Sequence, residues 1–398
     1  MLFFKKRIYA DAAAATPLSL GARKELLRLL NIYGNAGSLH LEGVLAKGEL
    51  EHARMTIASV LGAHTNEIVF TASGTEGNNL ALYGVLQPLL MEHKELYALT
   101  LAIEHQSVLE PLLALKQRGL SVTILPVDQE GLILPQALQE AVGEKTALVS
   151  IQLMNNEIGT LQPLREIAKE LRHIAKKRVL DGNLLPLYFH CDASQAPLWA
   201  SLQVSALGVD LMTLDAQKIL GPKGMGALFI KRGTHIVPLV SGAGQEGGLR
   251  GGTPNVPLAG SFAYALQDAQ SDVASRCREV AAIRDFLFQE IQRLIPEVVL
   301  NGPALHHRAP NNLNISVPGL DGETAVIAMN AEGIAISTRS ACSMGDQGVS
   351  HVLKALHAPE HILKTAVRIT LLPTVTRADA KRIAHALVSV VHRYKTVL

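Results

Sequence analysis

Short apolar runs alternate with stretches of helical period between residues 65 and 235. Each run is almost continuously apolar and is bounded by Gly, Pro, Asn or Asp, which is typical of strands buried on both faces of a parallel sheet. The predicted strands span residues 68–70, 97–103, 122–127, 147–153, 187–191, 211–214 and 227–230. The pattern predicts βαβ units and an α/β fold with a mostly parallel central sheet covered by helices.

The pattern changes after about residue 257. A long helical stretch runs to residue 295, short strands follow at 313–317 and 367–371, and an amphipathic helix begins at about residue 377. We therefore predict a large domain over residues 15–258 and a small α+β domain formed by residues 1–14 and 259–398. Residues 241–256 contain too much glycine for a helix or strand, which favours a hinge or a loop that approaches a ligand closely.

Composition excludes several classes of protein. The chain has 398 residues, of which 48% are hydrophobic and 18% charged, and its formal net charge is +2. These values argue against a disordered chain and against direct nucleic-acid binding through a basic field. No apolar run reaches the length that spans a bilayer, so we expect no membrane association. The three cysteines lie far apart in the sequence, which predicts neither a disulfide framework nor a metal site and fits the reducing cytoplasm.

Four polar residues follow predicted strands directly. They are His105, Asn156, Asp192 and Lys218. Ligands of open α/β sheets bind beyond the carboxyl ends of the strands, so parallel strands would bring all four to one edge. Taken alone, each has an ordinary structural interpretation: a surface lysine, a structural histidine or an aspartate that caps a helix.

Together, these residue types match what pyridoxal 5'-phosphate requires of a protein. Lys218 would form the Schiff base, Asp192 would face the ring nitrogen and His105 would stack on the ring. Asn156 or Gln195 would bond the phenolic oxygen.

The phosphate requires a site of its own. The segment from Thr71 to Gly77, which contains Gly74 and Thr75, follows a predicted strand and offers backbone N–H groups at a helix N-terminus. The sequence therefore predicts a phosphate cradle in this segment.

An ordered series of motifs covers nearly the whole chain. They are Tyr9-Ala-Asp11, Ala15-Thr16-Pro17, Gly34-Asn35, Ser38-Leu-His40, Glu67-Ile-Val-Phe-Thr71, Thr75-Glu76, Asn79-Leu80, Glu104-His105, Asn155-Asn156-Glu157-Ile158-Gly159, His190-Cys-Asp192-Ala-Ser-Gln195, Lys218-Ile-Leu-Gly221-Pro222-Lys223-Gly224, Arg250-Gly-Gly-Thr253, Ala309-Pro310-Asn311 and Ser340-Ala341-Cys342. The series resembles the pyridoxal-phosphate enzymes of aminotransferase class V, and among them the cysteine desulfurases of the iron–sulfur-cluster-assembly type. This resemblance implies the aminotransferase-like fold known as fold type I.

The resemblance implies the same cofactor roles, gives His105 a catalytic role in proton transfer as well, and adds other residues. Thr253 matches the residue that reaches the phosphate of a neighbouring subunit, which implies a homodimer with active sites at its interface. Arg368 matches the residue that clamps the substrate carboxylate, and Asn35 would assist it.

Cys342 determines the reaction that the resemblance implies. In the family, the cysteine of the Ser-Ala-Cys motif attacks the sulfur of a cysteine substrate, and a thiolate on a loop suits such an attack. The alternative is an inert free thiol. We interpret Cys191 and Cys277 as structural, since one ends an apolar strand and the other lies in a predicted helix.

The leading hypothesis is a pyridoxal-phosphate-dependent L-cysteine desulfurase. It would form L-alanine and a Cys342 persulfide, and pass the sulfur to an acceptor protein such as a cluster scaffold or a sulfur relay. The alternatives are another class V enzyme (an aminotransferase, a selenocysteine lyase or a cysteine sulfinate desulfinase) or a non-catalytic interaction protein that retains the fold.

The chain also departs from the family pattern. The family has Ser-x-His before the lysine, where this chain has Asp215, Ala216 and Gln217. Gln217 can still donate to the phosphate, but an ionised Asp215 would repel it, so we expect Asp215 to turn away, to be protonated or to be offset by a cation. Arg339 stands where a small residue is expected near Cys342.

Overall fold

The computed structural model describes residues 7–338 and 349–394, which contain twelve strands and thirteen α-helices. The strands are β1 (Ile8–Tyr9), β2 (Ile68–Thr71), β3 (Leu96–Leu101), β4 (Leu120–Leu125), β5 (Thr146–Ser150), β6 (Tyr188–Asp192), β7 (Leu211–Asp215), β8 (Gly226–Ile230), β9 (Val299–Leu300), β10 (Asn312–Ser316), β11 (Ile334–Ala335) and β12 (Ala366–Thr370). The helices are α1 (Leu20–Leu29), α2 (Leu41–Leu61), α3 (Gly74–Glu92), α4 (Gln106–Lys116), α5 (Pro135–Ala141), α6 (Leu164–Leu180), α7 (Val204–Leu207), α8 (Val256–Ser271), α9 (Val273–Leu294), α10 (Gly322–Ala331), α11 (His351–Ala355), α12 (Glu360–Thr365) and α13 (Arg377–Tyr394).

The seven predicted strands form one sheet. Its order is β2-β8-β7-β6-β5-β3-β4. β8 is antiparallel to both of its neighbours, and the other pairs are parallel. The mostly parallel α/β sheet expected from the sequence is therefore confirmed, and the carboxyl ends of β3, β5, β6 and β7 share one edge.

The strands are continuously apolar because both faces of the sheet are covered. In β3, Leu96 and Ala98 pack in one hydrophobic cluster with α3 and α4, whereas Leu99 and Leu101 pack in a second cluster on the opposite face. All four residues are fully buried. Successive side chains are thus buried on opposite faces of the sheet. Burial of apolar surface away from water is the main favourable contribution to folding.

A smaller sheet follows in the C-terminal part. It has the order β12-β10-β9 with antiparallel pairs, and α13 packs against α9 and α10 beside it. The helical stretch expected to continue to residue 295 is two helices, because Asp272 interrupts it and caps α9 by accepting a hydrogen bond from the Ser275 N–H. The boundary predicted at residue 258 falls inside α8, which packs against α1 and α2.

The N-terminal segment ties the two sheets together. Ala12 N–H donates to the Thr370 carbonyl of β12, and Thr16 N–H donates to the Gln217 carbonyl after β7. Within the described ranges, none of the helices combines the length and apolarity needed to span a bilayer. The same residues contain no group of three or more His, Cys, Asp or Glu side chains suited to a metal ion.

Candidate active site

A pocket lies at the carboxyl edge of the central sheet. It collects most of the residues predicted to hold the cofactor and substrate: Gly74, Thr75, His105, Asn156, Asp192, Gln195, Gln217, Lys218 and Arg368. They arrive from β3, β5, β6 and β7, from the start of α3 and from β12. Parallel strands bring these distant residues together because their carboxyl ends lie at the same edge.

Lys218 is held by the N-terminal segment. It ends a short 3₁₀ turn after β7, and its Nζ donates to the carbonyls of Ala13, at 3.0 Å, and Ala14, at 2.6 Å. Gln195 Nε2 donates to the same Ala13 carbonyl at 2.9 Å. The two alanines were missed by the sequence analysis because their contribution comes from the backbone.

The turn after Lys218 is closed by Thr16. Its hydroxyl donates to the Gln217 carbonyl at 2.8 Å and accepts from the Leu220 N–H at 2.7 Å. Leu220 has a φ of 63°, in the left-handed region that non-glycine residues avoid. Thr16 therefore helps to hold a strained turn directly beside the lysine.

Asp192 is fixed at the end of β6. Its Oδ1 accepts from the Ser194 N–H at 2.9 Å, and its Oδ2 accepts from Asn78 Nδ2 at 2.8 Å. Only 9% of the residue is exposed. This carboxylate faces the pocket in one defined orientation.

His105 caps the start of α4 with its ring. Its Nδ1 accepts from the Ser107 N–H at 3.1 Å, and Ser107 Oγ lies 2.7 Å from the same nitrogen. Asn78 Nδ2 donates to Ser107 Oγ at 2.8 Å, so the serine hydroxyl is free to donate to the ring. A neutral His105 with its proton on Nε2 satisfies this arrangement.

Asn78 therefore connects Asp192 to His105 through Ser107. Neither Asn78 nor Ser107 was predicted from the sequence. The available signals were the position of Asn78 one helical turn after Thr75, on the same face of α3, and the position of Ser107 at the start of α4.

The predicted phosphate cradle lies at the N-terminus of α3. Ser73 caps the helix by accepting from the Glu76 N–H at 3.2 Å. A Cβ added at Gly74 would lie 2.8 Å from Ser194 Oγ and 3.1 Å from Asp215 Cβ, so a larger residue would require these side chains to shift. The first N–H groups of the helix have no partner within the helix and suit an anion.

Asp215 does not turn away from this cradle. It lines the pocket, is 6% exposed, and accepts from the Gln217 N–H at 3.2 Å and from Gln217 Nε2 at 3.1 Å. The Gln217 side chain, expected to serve the phosphate, thus donates to Asp215.

Arg368 is almost completely buried beside the pocket. Its Nη2 pairs with Asp11 Oδ1 at 2.8 Å, and its Nη1 donates to the Asn156 carbonyl at 3.2 Å. Its Nε has no hydrogen-bond partner among the described residues. A buried guanidinium with an unused N–H is suited to a carboxylate ligand.

Three buried titratable groups lie close to Asp192. Burial raises the pKa of Glu104 well above its usual range and raises the pKa of the Cys191 thiol likewise. Burial also lowers the pKa of His190 to about 4, although Asp192 opposes this shift. Burial therefore favours the uncharged form of each of these three groups.

Two predicted residues lie away from this pocket. Asn35 is exposed, and its Oδ1 accepts from the Gly37 N–H at 2.9 Å. Thr253 is also exposed, and Asn35 and Pro254 line a separate cavity with Arg54 and Glu246. Asn35 belongs to the loop before α2 and is not among the residues that line the pocket with Arg368.

Cys342 lies outside the described residues. The described residues on either side of its segment contact the pocket region. Ser337 exchanges backbone hydrogen bonds with Arg368, at 3.1 and 2.6 Å, and His351 Nε2 donates to the Glu104 carbonyl at 2.9 Å. Ser350 Oγ donates to Glu157 at 2.5 Å, next to Asn156.

Comparisons with known proteins agree with this geometry. The model of the aminotransferase class V family matches residues 8–383. The chain is 37% identical over 398 residues to the cysteine desulfurase IscS of Dictyoglomus turgidum, covering 99% of this chain and 96% of that protein. It is 34% identical to a cysteine desulfurase of Homo sapiens, covering 91% of this chain and 76% of the human protein.

Solved structures give the same result. A NifS-like protein superposes with a TM-score of 0.87 at 31% identity, covering 97% of this chain and all of that chain. SspA in complex with cysteine superposes with a TM-score of 0.78 at 30% identity, covering 93% of this chain and 100% of that chain. The fold expected from the resemblance, fold type I, is confirmed. The chain belongs to the class V aminotransferase family and, within it, to the cysteine desulfurases.

Proposed function

We propose that the chain is a pyridoxal-phosphate-dependent L-cysteine desulfurase that forms L-alanine and a persulfide on Cys342. The observation that carries this proposal is the convergence of Lys218, Asp192, His105 and Arg368 on one pocket. An amine, a fixed carboxylate, an aromatic ring and a buried guanidinium are the groups needed to hold the cofactor and an amino acid.

The pocket fits pyridoxal 5'-phosphate. Lys218 would bond the cofactor, Asp192 would pair with the ring nitrogen and His105 would cover the ring. Asn156 and Gln195 would contact the ring substituents, while Gly74 and Thr75 would receive the phosphate. Gly74 supports this fit, because it lines the pocket at the start of α3, where backbone N–H groups can donate to an anion. When bound, the cofactor withdraws electrons from the substrate α-carbon and makes the bonds around it easier to break.

Arg368 would orient the substrate. Its burial and its Nε–H, which has no partner among the described residues, favour a bound carboxylate, and Asp11 fixes the direction of the guanidinium. Lys218 would move the α-proton, since it lines the same pocket. His105 would present its Nε2–H to the bound amino acid, because Nδ1 is engaged by Ser107.

Cys342 would accept the sulfur. Its thiolate forms a bond with the sulfur of the bound cysteine, the bond between that sulfur and the β-carbon breaks, and the β-carbon takes up a proton. One cysteine and one thiol give one alanine and one persulfide, with no external oxidant or reductant. The described residues that flank this segment contact Arg368, through Ser337, and the Glu104 carbonyl, through His351.

A homodimer would complete the site. Thr253 is exposed and does not line the pocket of its own chain, so we propose that it serves the phosphate of a second copy. Exposed apolar side chains near α2 support such an interface: Tyr33 is 82% exposed, Leu39 97% and Leu41 69%. The sulfur acceptor would be a separate protein, either a cluster scaffold or a sulfur relay. We also propose that the chain acts in the cytoplasm.

Incubation with cysteine tests the reaction. We expect the protein loaded with pyridoxal phosphate to release alanine, and the peptide that contains Cys342 to gain the mass of one sulfur. Cys342→Ser is the matched control and should gain no sulfur. Absence of alanine would overturn the proposal, and turnover of selenocysteine or cysteine sulfinate alone would favour one of the alternative class V enzymes.

Mixed dimers test the contribution of Thr253. Chains with Lys218→Ala and chains with Thr253→Ala should each be impaired alone. A heterodimer contains one pocket with an intact Lys218 that receives Thr253 from the other chain, so mixing should restore turnover. Failure to restore turnover, or full activity of Thr253→Ala alone, would contradict the shared site.

A further inference from the structure

We propose that Asp215 is a specificity-determining residue that weakens binding of the cofactor phosphate and thereby lowers the preference for the phosphorylated cofactor over its unphosphorylated form. The inference rests on the proposed function, because it concerns the same pocket. It begins from a carboxylate that lies beside the predicted phosphate cradle.

The position of Asp215 is given by its neighbours. A Cβ placed on Gly74 would be 3.3 Å from Asp215 Oδ2, so the carboxylate lies against the first residue of α3. Asp215 is 6% exposed and lines the pocket together with Thr75. A phosphate at the N-terminus of α3 would therefore meet a like charge in a partly dehydrated site, where repulsion is strong.

The carboxylate is also held in this place. Asp215 caps the 3₁₀ turn that ends at Lys218, by accepting from the Gln217 N–H. Gln217 Nε2 donates to the second carboxylate oxygen. Turning Asp215 away would remove the cap from the turn that carries Lys218, so relief of the repulsion in this way would cost that hydrogen bond.

Gln217 strengthens the effect. A side-chain amide has two N–H donors, and one of them is directed to Asp215 and not to the phosphate cradle. The nearby Glu76 at the start of α3 is paired with Arg250 at 2.9 Å. In the cradle, the backbone N–H groups of α3 can donate hydrogen bonds to the phosphate, whereas the Asp215 carboxylate repels it.

Two forms of the cofactor separate this effect from general damage to the pocket. The full-length protein, freed of cofactor, is titrated with pyridoxal 5'-phosphate and with pyridoxal, and the dissociation constants are read from the cofactor absorbance. Asp215→Asn removes the charge but keeps an oxygen that can cap the turn. Asp181→Asn, at the exposed end of α6, removes the same charge elsewhere and serves as the control.

We expect Asp215→Asn to tighten pyridoxal 5'-phosphate binding by about tenfold and to leave pyridoxal binding unchanged. Asp181→Asn should change neither constant. Asp215→Ser, which keeps a hydroxyl cap, should behave like Asp215→Asn and covers the case in which the asparagine variant folds poorly.

The proposal would be overturned if both Asp215 variants bound pyridoxal 5'-phosphate no more tightly than the unaltered protein does. It would also be overturned if the variants bound both forms of the cofactor more tightly by the same factor. Failure of the proposed function gives a different result. In that case the unaltered protein itself would show no binding of pyridoxal 5'-phosphate that depends on Lys218.

Discussion

The predicted site residues of the active-site pocket and of the glycine-rich segment at residues 241–256 are positioned by different parts of the fold. His105, Asp192 and Lys218 follow strands, and the sheet brings them to one pocket within a single chain. Thr253 belongs to the glycine-rich segment and stays exposed outside the pocket. Residues at strand ends are positioned by their own sheet, whereas the glycine-rich segment needs contacts with other parts of the fold to be positioned at all.

One buried ion pair provides such a contact. Glu246 accepts from Arg54 Nη1 at 2.7 Å, from Arg54 Nη2 at 2.8 Å and from the Phe70 N–H at 2.8 Å. Its side chain is 3% exposed, and its φ of 50° lies in the left-handed region. The pair therefore ties the segment to α2 and β2, close to the edge of the sheet, and compensates for an unfavourable backbone conformation.

Lys218→Ala should have the largest effect on the pocket. The substitution removes the bond to the cofactor and the group that moves the α-proton, so turnover of cysteine should fall by about 10³-fold or more. Alanine release and the visible absorbance of the bound cofactor measure the loss. Lys223→Ala, an exposed lysine of the following turn, is the control and should retain turnover near the original rate. Comparable losses in both variants would contradict the assignment of Lys218.

Cys342→Ser should affect a later step and leave the pocket intact. We expect cysteine still to change the cofactor spectrum, while sulfur transfer falls by several orders of magnitude. Cys191 and Cys277 cannot replace it readily, since burial raises the pKa of both thiols. Mass analysis of all three cysteine peptides after reaction with cysteine measures the outcome. Persulfide on Cys191 or Cys277 at the original rate would show that the nucleophile is assigned incorrectly.

Glu246→Gln should destabilise the attachment of the glycine-rich segment. The substitution leaves Arg54 with only the half-exposed Glu51 as counter-charge, and we expect a loss of about 2–3 kcal/mol in the free energy of unfolding measured with urea. The matched control is Glu360→Gln, which breaks an ion pair whose side chains are 61% and 78% exposed. The control should lose about 0.5 kcal/mol or less. Equal losses would mean that the Arg54 pair does not hold the segment.

The sequence predicts well what depends on local pattern. All seven predicted strands are present in the central sheet, because continuous apolar runs reflect burial on both faces. Strand-end residues such as Asp192 were predictable for the same reason. The apolar pattern of β8 does not reveal its antiparallel direction. The connection from β7 does, because it is too short for the helix that joins parallel strands.

Contacts between distant segments could not be predicted in this way. The Ala13 and Ala14 carbonyls that receive Lys218 leave no side-chain signal in the sequence. Asn78 and Ser107 are ordinary helix residues until α3 and α4 pack side by side and bring them together. The break at Asp272 was readable in principle, since an aspartate three residues before Ser275 is a common helix start.

His190→Gln should have the smallest effect. It tests whether burial in the sheet beneath the pocket keeps His190 uncharged. His190 is fully buried in β6, with Nδ1 2.8 Å from Ser150 Oγ and Nε2 3.1 Å from Thr213 Oγ1. Burial lowers the pKa of His190 from 6.5 to about 4 in the fold, so between these values the unfolded chain binds more protons than the folded one. Stability attributable to His190 must therefore fall as the pH falls through this range.

Between pH 7 and pH 5, we expect the free energy of unfolding to decrease by about 2 kcal/mol because of His190. The glutamine variant should not show this decrease. Glu104 acts in the opposite direction: burial raises its pKa, so its contribution is lost as the pH rises. For this reason the informative quantity is the difference between the pH dependences of the original protein and the variant, measured by urea unfolding at both pH values. The difference cancels Glu104 and the surface groups, and leaves His190. Identical pH dependences would mean that burial in the sheet does not keep His190 uncharged.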